Sequence, residues 1–202
     1  DQPHYNLRDL AGLEERVEAH IDGLRVAGNS GFAIAWAQLE QLGGPGELFA
    51  VALLALESRS AAWIEPVLKF AESVPRARRG LFGALGWVTP DVLRGQVIAW
   101  LDDPMSFRRL LGVVACSLHR ANPDSRVERL LADEEPSIRA RTLRLAGELG
   151  RLDLRDLVRP ALKDEDNACR FWAAWSAGLL GDRAQAIPAL RLHATGGDFR
   201  RR

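Results

Sequence analysis

Lysine is almost missing from this chain. Two lysines stand against 25 arginines, so nearly every cation is a planar guanidinium suited to carboxylate or phosphate partners. A GC-rich codon preference produces the same bias, and the excess alone assigns no partner. Cysteine is scarce too: Cys116 and Cys169 fall at interior positions of different predicted helices, which argues against a disulfide framework and for two free, buried thiols. No run approaches the roughly 18 consecutive apolar residues of a membrane span. The polar start Asp1-Gln2-Pro3-His4 has no signal-peptide pattern, so a cytoplasmic location is expected. Neither sign of charge prevails, with 27 basic against 27 acidic residues, and no overall field draws the chain to nucleic acid or to an acidic membrane. Residues 1–100 carry 9 basic and 12 acidic side chains and the remainder 18 and 15, a tilt too small to change that reading.

Groups that carry chemistry are equally sparse. The four histidines, His4, His20, His119 and His193, lie far apart on different predicted elements. Cys116 and His119 share a helix face at i and i+3, but a closed metal site needs four ligands and the sequence offers two. No Gly-rich phosphate loop follows a strand, and no nucleophile elbow is present. Asp22 near His20 is the most suggestive acid–base pair, although near neighbours along a helix do not face one another. No catalytic residue, cofactor or metal is expected.

What the chain does contain is self-similarity. Between Trp100 and Gly181 it repeats with a 31-residue step that aligns Arg108, Arg139 and Arg170, then Asp102, Asp133 and Asp164, then Ala115, Ala146 and Ala177, then Leu118, Leu149 and Leu180. A period of this size is the signature of a solenoid, in which each unit buries its apolar face only by stacking on its neighbours. Phe107, Ile138 and Cys169 fall in register at the start of each first helix, and Trp100, Leu131 and Leu162 at the matching inward position of each second one. The alanines are small where helices approach closely, and the leucine column fills the seam beyond them.

Every periodic segment reads at helical spacing. Leu7, Leu10, Leu13, Val17, Ile21 and Leu24 put one apolar stripe on a helix over about 7–27, broken by Gly28-Asn29-Ser30-Gly31. A second helix carries Phe32, Trp36, Leu39 and Leu42 and ends at Gly43-Gly44-Pro45-Gly46. Pairs follow: 46–58 with 62–74, 76–87 with 90–102, 106–120 with 124–132, 136–150 with 154–164, and 167–181 with 184–194. Pro90 and Pro136 stand at early helix positions, and Gly150 and Gly181 at helix ends. The chain therefore reads as one all-α array over 1–202. The expected parts are an N-terminal helical pair over 1–44, repeats over 45–194 and a tail over 195–202 ending in Phe199-Arg200-Arg201-Arg202, which is expected to be truncated from a longer chain.

The run Glu135-Pro136-Ser137-Ile138-Arg139, followed by Ala146-Gly147-Glu148-Leu149-Gly150, resembles the HEAT repeat. Asp103-Pro104 with Phe107-Arg108 matches with one extra residue, and Asp166-Asn167-Ala168-Cys169-Arg170 with Leu180-Gly181 matches with Asn in place of Pro. The resemblance implies a right-handed α-α superhelix of about five pairs plus the N-terminal pair. It also implies structural ladders of Asp102, Asp133 and Asp164 with Arg108, Arg139 and Arg170. Residues 13–28 are similar to the opening of an uncharacterised bacterial HEAT-like family encoded close to type VI secretion genes, which implies an accessory role in secretion.

Six tryptophans are many for this length, and Phe171, Trp172 and Trp175 crowd one helix. Either they pack against a neighbouring helix or a following repeat, or they form an aromatic anchor for a partner. The expected function is a non-catalytic protein–protein scaffold, holding a secretion effector or component. Its candidate contact residues are Arg94, Arg126, Arg129, Arg155, Arg159 and Arg191 on the second helices, with Phe171, Trp172 and Trp175. The alternative is nucleic-acid binding in the manner of HEAT-like DNA glycosylases. Those enzymes are markedly basic and this chain is neutral, so no nucleic acid is expected. Dense basic runs occur only at Arg76, Arg78 and Arg79 and at the terminal arginines.

Overall fold

The computed structural model describes residues 6–195. His4 and the arginines of the expected tail lie outside them. The described residues form α-helices and short 3-10 segments, with no strand among them. The single array read from the sequence forms two compact units, Asp1–Val92 and Leu93–Arg202.

The first unit contains α1 (Leu7–Val26), α2 (Gly28–Leu42), α3 (Pro45–Ser58), α4 (Ala61–Ser73), a 3-10 turn (Pro75–Ala77) and α5 (Arg78–Trp87). Its core is α3, where Leu48 and every residue from Val51 to Leu56 are buried. A helix apolar all round must be enclosed on all sides. α1 opens on a capping box: the Asn6 side chain accepts from the Asp9 amide, and Asp9 accepts from the Asn6 amide. Only Ile21 of its apolar stripe is buried, whereas Leu7, Leu10 and Val17 face solvent, so the first half of α1 contributes little to the core. The expected four-residue break after α1 shrinks to a turn at Ala27–Gly28. Gly28 takes a φ of +56°, and Asn29, Ser30 and Gly31 already belong to α2. The aromatics pack among themselves. Phe32 stacks on Trp63 at 4.0 Å, Trp36 meets Phe70 edge-on at 6.4 Å, and Trp87 meets Phe49 edge-on at 5.4 Å.

The second unit contains α6 (Gln96–Leu101), α7 (Ser106–His119), α8 (Arg126–Leu131), α9 (Pro136–Glu148), α10 (Arg155–Val158), α11 (Asn167–Leu179) and α12 (Arg183–Thr195). 3-10 turns at Leu152–Leu154 and Arg159–Lys163 flank α10. The expected helix over 90–102 begins only at Gln96, after Gly95 at φ +81°, so Pro90 sits in a turn. The expected helix over 154–164 breaks at Pro160, which lacks an amide proton and whose ring crowds the preceding turn. Two apolar clusters fill this unit. Leu101, Val113, Cys116, Leu130, Ile138 and Leu145 form one. Leu143, Ala146, Val158, Cys169, Ala173 and Ala177 lie in the other, with Leu131 and Leu162 packed on its edge.

The repeat step is not uniform. α7, α9 and α11 begin at Ser106, Pro136 and Asn167, and end on residues in left-handed conformation at Arg120 (φ +51°), Gly150 (+65°) and Gly181 (+89°). From the first copy to the second the step is 30 residues, and from the second to the third it is 31. The same closing bond recurs after each helix: the amides of Ala121, Arg151 and Asp182 donate to the carbonyls of Cys116, Ala146 and Ala177. The one-residue difference moves Leu118 out of the seam. It is 47% exposed, while Leu180 is fully buried, because the residue matching Leu149 and Leu180 is His119.

Candidate interaction surface

The arginine–aspartate ladder sits at the entrance of the first helices of the second unit. Arg139 grips Asp164 with both faces of its fork, Nε at 2.9 Å and Nη2 at 2.8 Å, while Nη1 donates to the carbonyls of Asp133 and Glu134. Arg109 does the same one copy earlier, binding Asp133 at 2.7 and 3.0 Å and the carbonyls of Asp103 and Pro104. Arg170 repeats the carbonyl pattern on Asp164 and Glu165. Each aspartate also caps the backbone two residues on: Asp103 accepts from Met105, Asp133 from Glu135 and Asp164 from Asp166. The rungs are thus Arg109, Arg139 and Arg170 with Asp103, Asp133 and Asp164. Arg108 and Asp102, expected as the first rung, lie one residue off. Arg108 comes no closer than 3.8 Å to Asp103.

These bonds shape the acid–base behaviour of the aspartates. Asp164 is held below the ordinary carboxylate range, chiefly by the Arg139 hydrogen bonds. For Asp133, burial pushes upward, but the Arg109 bonds, the Glu135 amide and the nearby guanidinium charges together pull it lower. In both cysteines burial prevails, raising Cys116 to about 11 and Cys169 to about 12.

The second-helix arginines expected at a partner surface are occupied within the chain. Asp102 receives Arg126 at 2.8–2.9 Å and Arg129 at 2.8 Å, and Arg129 also donates to the Leu101 carbonyl. Arg155 donates to the carbonyl of Leu180, and Arg159 bonds Asp182 at 3.1 Å. Arg94 and Arg191 likewise make interactions of their own. These guanidiniums tie the end of one helical pair to the next, which is a structural use of the arginine fork.

The aromatic candidates do come together. On α11, Phe171 packs edge-on against Trp172 at 5.0 Å, Trp172 against Trp175 at 6.1 Å, and His193 of α12 closes on Phe171 at 5.6 Å. Trp172 is half-buried against the core, and Trp175 is 43% exposed. α9 lies alongside at very short range. The Ser176 hydroxyl donates to the Leu143 carbonyl at 2.6 Å, and a side chain on Gly147 would stand 2.7 Å from the Ser176 Cβ. That approach brings the guanidinium of Arg144 over the Trp172 ring, 4.7 Å from its centre, while its Nε donates to Glu148 at 2.7 Å.

Arg144 and Arg141, one 31-residue step before Trp175 and Trp172, were not among the expected contact residues. One turn before Arg144 on the same stripe, Arg141 is half-buried and has no hydrogen bond or ion pair among the described residues. Burial, and then the charge of Arg144, push its guanidinium below the usual value, with Glu148 opposing. A second cluster missed in sequence lies in the first unit. Arg25 binds Glu57 through two bonds at 2.7 and 2.8 Å, and reaches Glu18 and Asp22 at 2.6 Å each. The Trp87 indole donates to Glu18 at 2.9 Å. Asp22 is thereby paired with Arg25, while His20 faces solvent. Among the described residues no three His, Cys, Asp or Glu side chains gather as metal ligands would, and no helix is long and apolar enough to cross a membrane.

Residues 123–202 match the family of HEAT repeats, a stretch that takes in α8 to α12. No curated protein matches the chain.

Proposed function

We propose that this chain is a non-catalytic scaffold for protein–protein interaction and that it takes its partner on the α9–α11 face. HEAT repeats commonly build such scaffolds. One observation supports this face over the second-helix arginines. Arg126, Arg129, Arg155 and Arg159 use donors inside the chain, whereas the Trp172–Trp175 cluster stands partly open, and Arg141, one turn before the Arg144 that covers Trp172, has no hydrogen bond or ion pair among the described residues. Tryptophan and arginine dominate the energetics of protein interfaces, so their pairing on one face favours an anchor for a protein. The likeness of residues 13–28 to a family encoded beside type VI secretion genes favours a secretion effector or component as that protein.

The test is affinity capture from the native organism with the full chain and with Trp175→Ala. The wild-type chain is expected to retain a specific protein that the variant loses. Recovery of chaperones alone, or equal recovery by both chains, contradicts the proposal. A mobility-shift titration in parallel is expected to show no shift at low salt. A shift that weakens steeply as salt rises favours nucleic acid instead.

A further inference from the structure

The 30- and 31-residue steps place Leu111, Arg141 and Trp172 in one column and Val114, Arg144 and Trp175 in the next. In α7 both positions are apolar and buried, and in α11 both are tryptophan. Only α9 puts cations there. A solenoid stacks by repeating its apolar columns, so two arginines in the middle copy break the local rule. Arg144 has compensation in the Trp172 ring and Glu148. Arg141 has less: it is half-buried, lacks any hydrogen bond or ion pair among the described residues and is repelled by Arg144, with only the unbonded charge of Glu148 in its favour. On the same three helices Arg109, Arg139 and Arg170, also half-buried, have their forks filled by carboxylate or carbonyl oxygens.

Resting on the scaffold reading above, we infer that Arg141 is the specificity residue of the α9–α11 face. The bound segment is then an acidic peptide stretch, whose carboxylate enters the Arg141 fork while a neighbouring apolar side chain lies on Trp172 and Trp175. A carboxylate supplies what the site lacks, an anion with two acceptor oxygens in the plane of the guanidinium. The tryptophans supply the apolar contact that fixes where the carboxylate arrives. Selectivity then comes from an energetic asymmetry: a peptide without the carboxylate leaves a desolvated cation unpaired.

The experiment is selection from a displayed library of random peptides on the full chain, on Arg141→Gln and on Trp175→Ala. Each chain is first melted to compare stability. Arg141→Gln is expected to melt no lower than wild type. Wild type is expected to enrich peptides with Asp or Glu beside an aliphatic or aromatic residue. Arg141→Gln is expected to bind those peptides at least about tenfold more weakly and to lose the acidic preference. A melting point lowered by Arg141→Gln makes Arg141 structural and overturns the inference. Enriched peptides lacking carboxylates, lost by Trp175→Ala but kept by Arg141→Gln, overturn it while leaving the scaffold face standing. Peptides kept by both variants, or no enrichment at all, overturn both.

Discussion

In the second unit single residues fix the backbone at the ends of the first helices. Arg120 takes the left-handed conformation that Gly150 and Gly181 take in the next two copies, and pays a steric penalty for its Cβ. Arg120→Gly is therefore expected to raise unfolding stability by about 1 kcal/mol, read as a higher denaturant midpoint at unchanged slope. Asp164 joins two copies through Arg139 and caps the Asp166 amide, so Asp164→Ala leaves a poorly solvated guanidinium and is expected to cost about 2–3 kcal/mol. Asp133 and Asp164 ionise more readily when folded than the ordinary aspartate near 3.8. Their contribution is complete above that value and is lost as pH falls through their lower folded values. Denaturant titrations at descending pH should show stability falling below about pH 4, with a shallower fall in Asp164→Ala. A curve that falls equally steeply in both chains disproves the assignment. The two thiols, raised by burial, are expected to resist a maleimide at neutral pH until the chain unfolds.

At the scale of elements, close approach is set by the smallest side chains. Gly147 admits the Ser176 backbone, so that α9 and α11 nearly touch and the Ser176 hydroxyl finds the Leu143 carbonyl. Gly147→Val is expected to wedge these helices apart and cost about 1–3 kcal/mol, with loss of the Arg144–Trp172 contact seen as altered tryptophan fluorescence. The helix periods and the capping glycines at 43, 150 and 181 were legible because apolar spacing and left-handed ends are local properties. The broken helix at Pro160 was legible in principle from the proline alone. The register of α7 was not: Arg108 and Arg109 are adjacent, and only the folded positions of the Asp133 carboxylate and the Asp103 and Pro104 carbonyls select Arg109 as the rung. That one-residue ambiguity also puts Leu110 in place of Leu111 in the column of Arg141 and Trp172.

For the molecule as a whole, composition and period indicated helical pairs, and HEAT repeats match over residues 123–202. The division into two compact units was not legible, because the turn that ends at Gly95 shares its Pro and Gly punctuation with turns inside each unit. The same excess of arginine serves two ends. Arg109, Arg126, Arg139 and Arg155 knit successive pairs together, and Arg141 on α9 is the one proposed to take a partner. Those roles separate most cleanly in a paired comparison of Arg139→Gln and Arg141→Gln, measuring the melting temperature and the affinity for the captured partner in each. Arg139→Gln is expected to melt several degrees lower while its folded fraction still binds. Arg141→Gln is expected to melt like wild type and to bind at least about tenfold more weakly. If Arg141→Gln destabilises as Arg139→Gln does, or binds undiminished, the α9–α11 face is not the partner surface described.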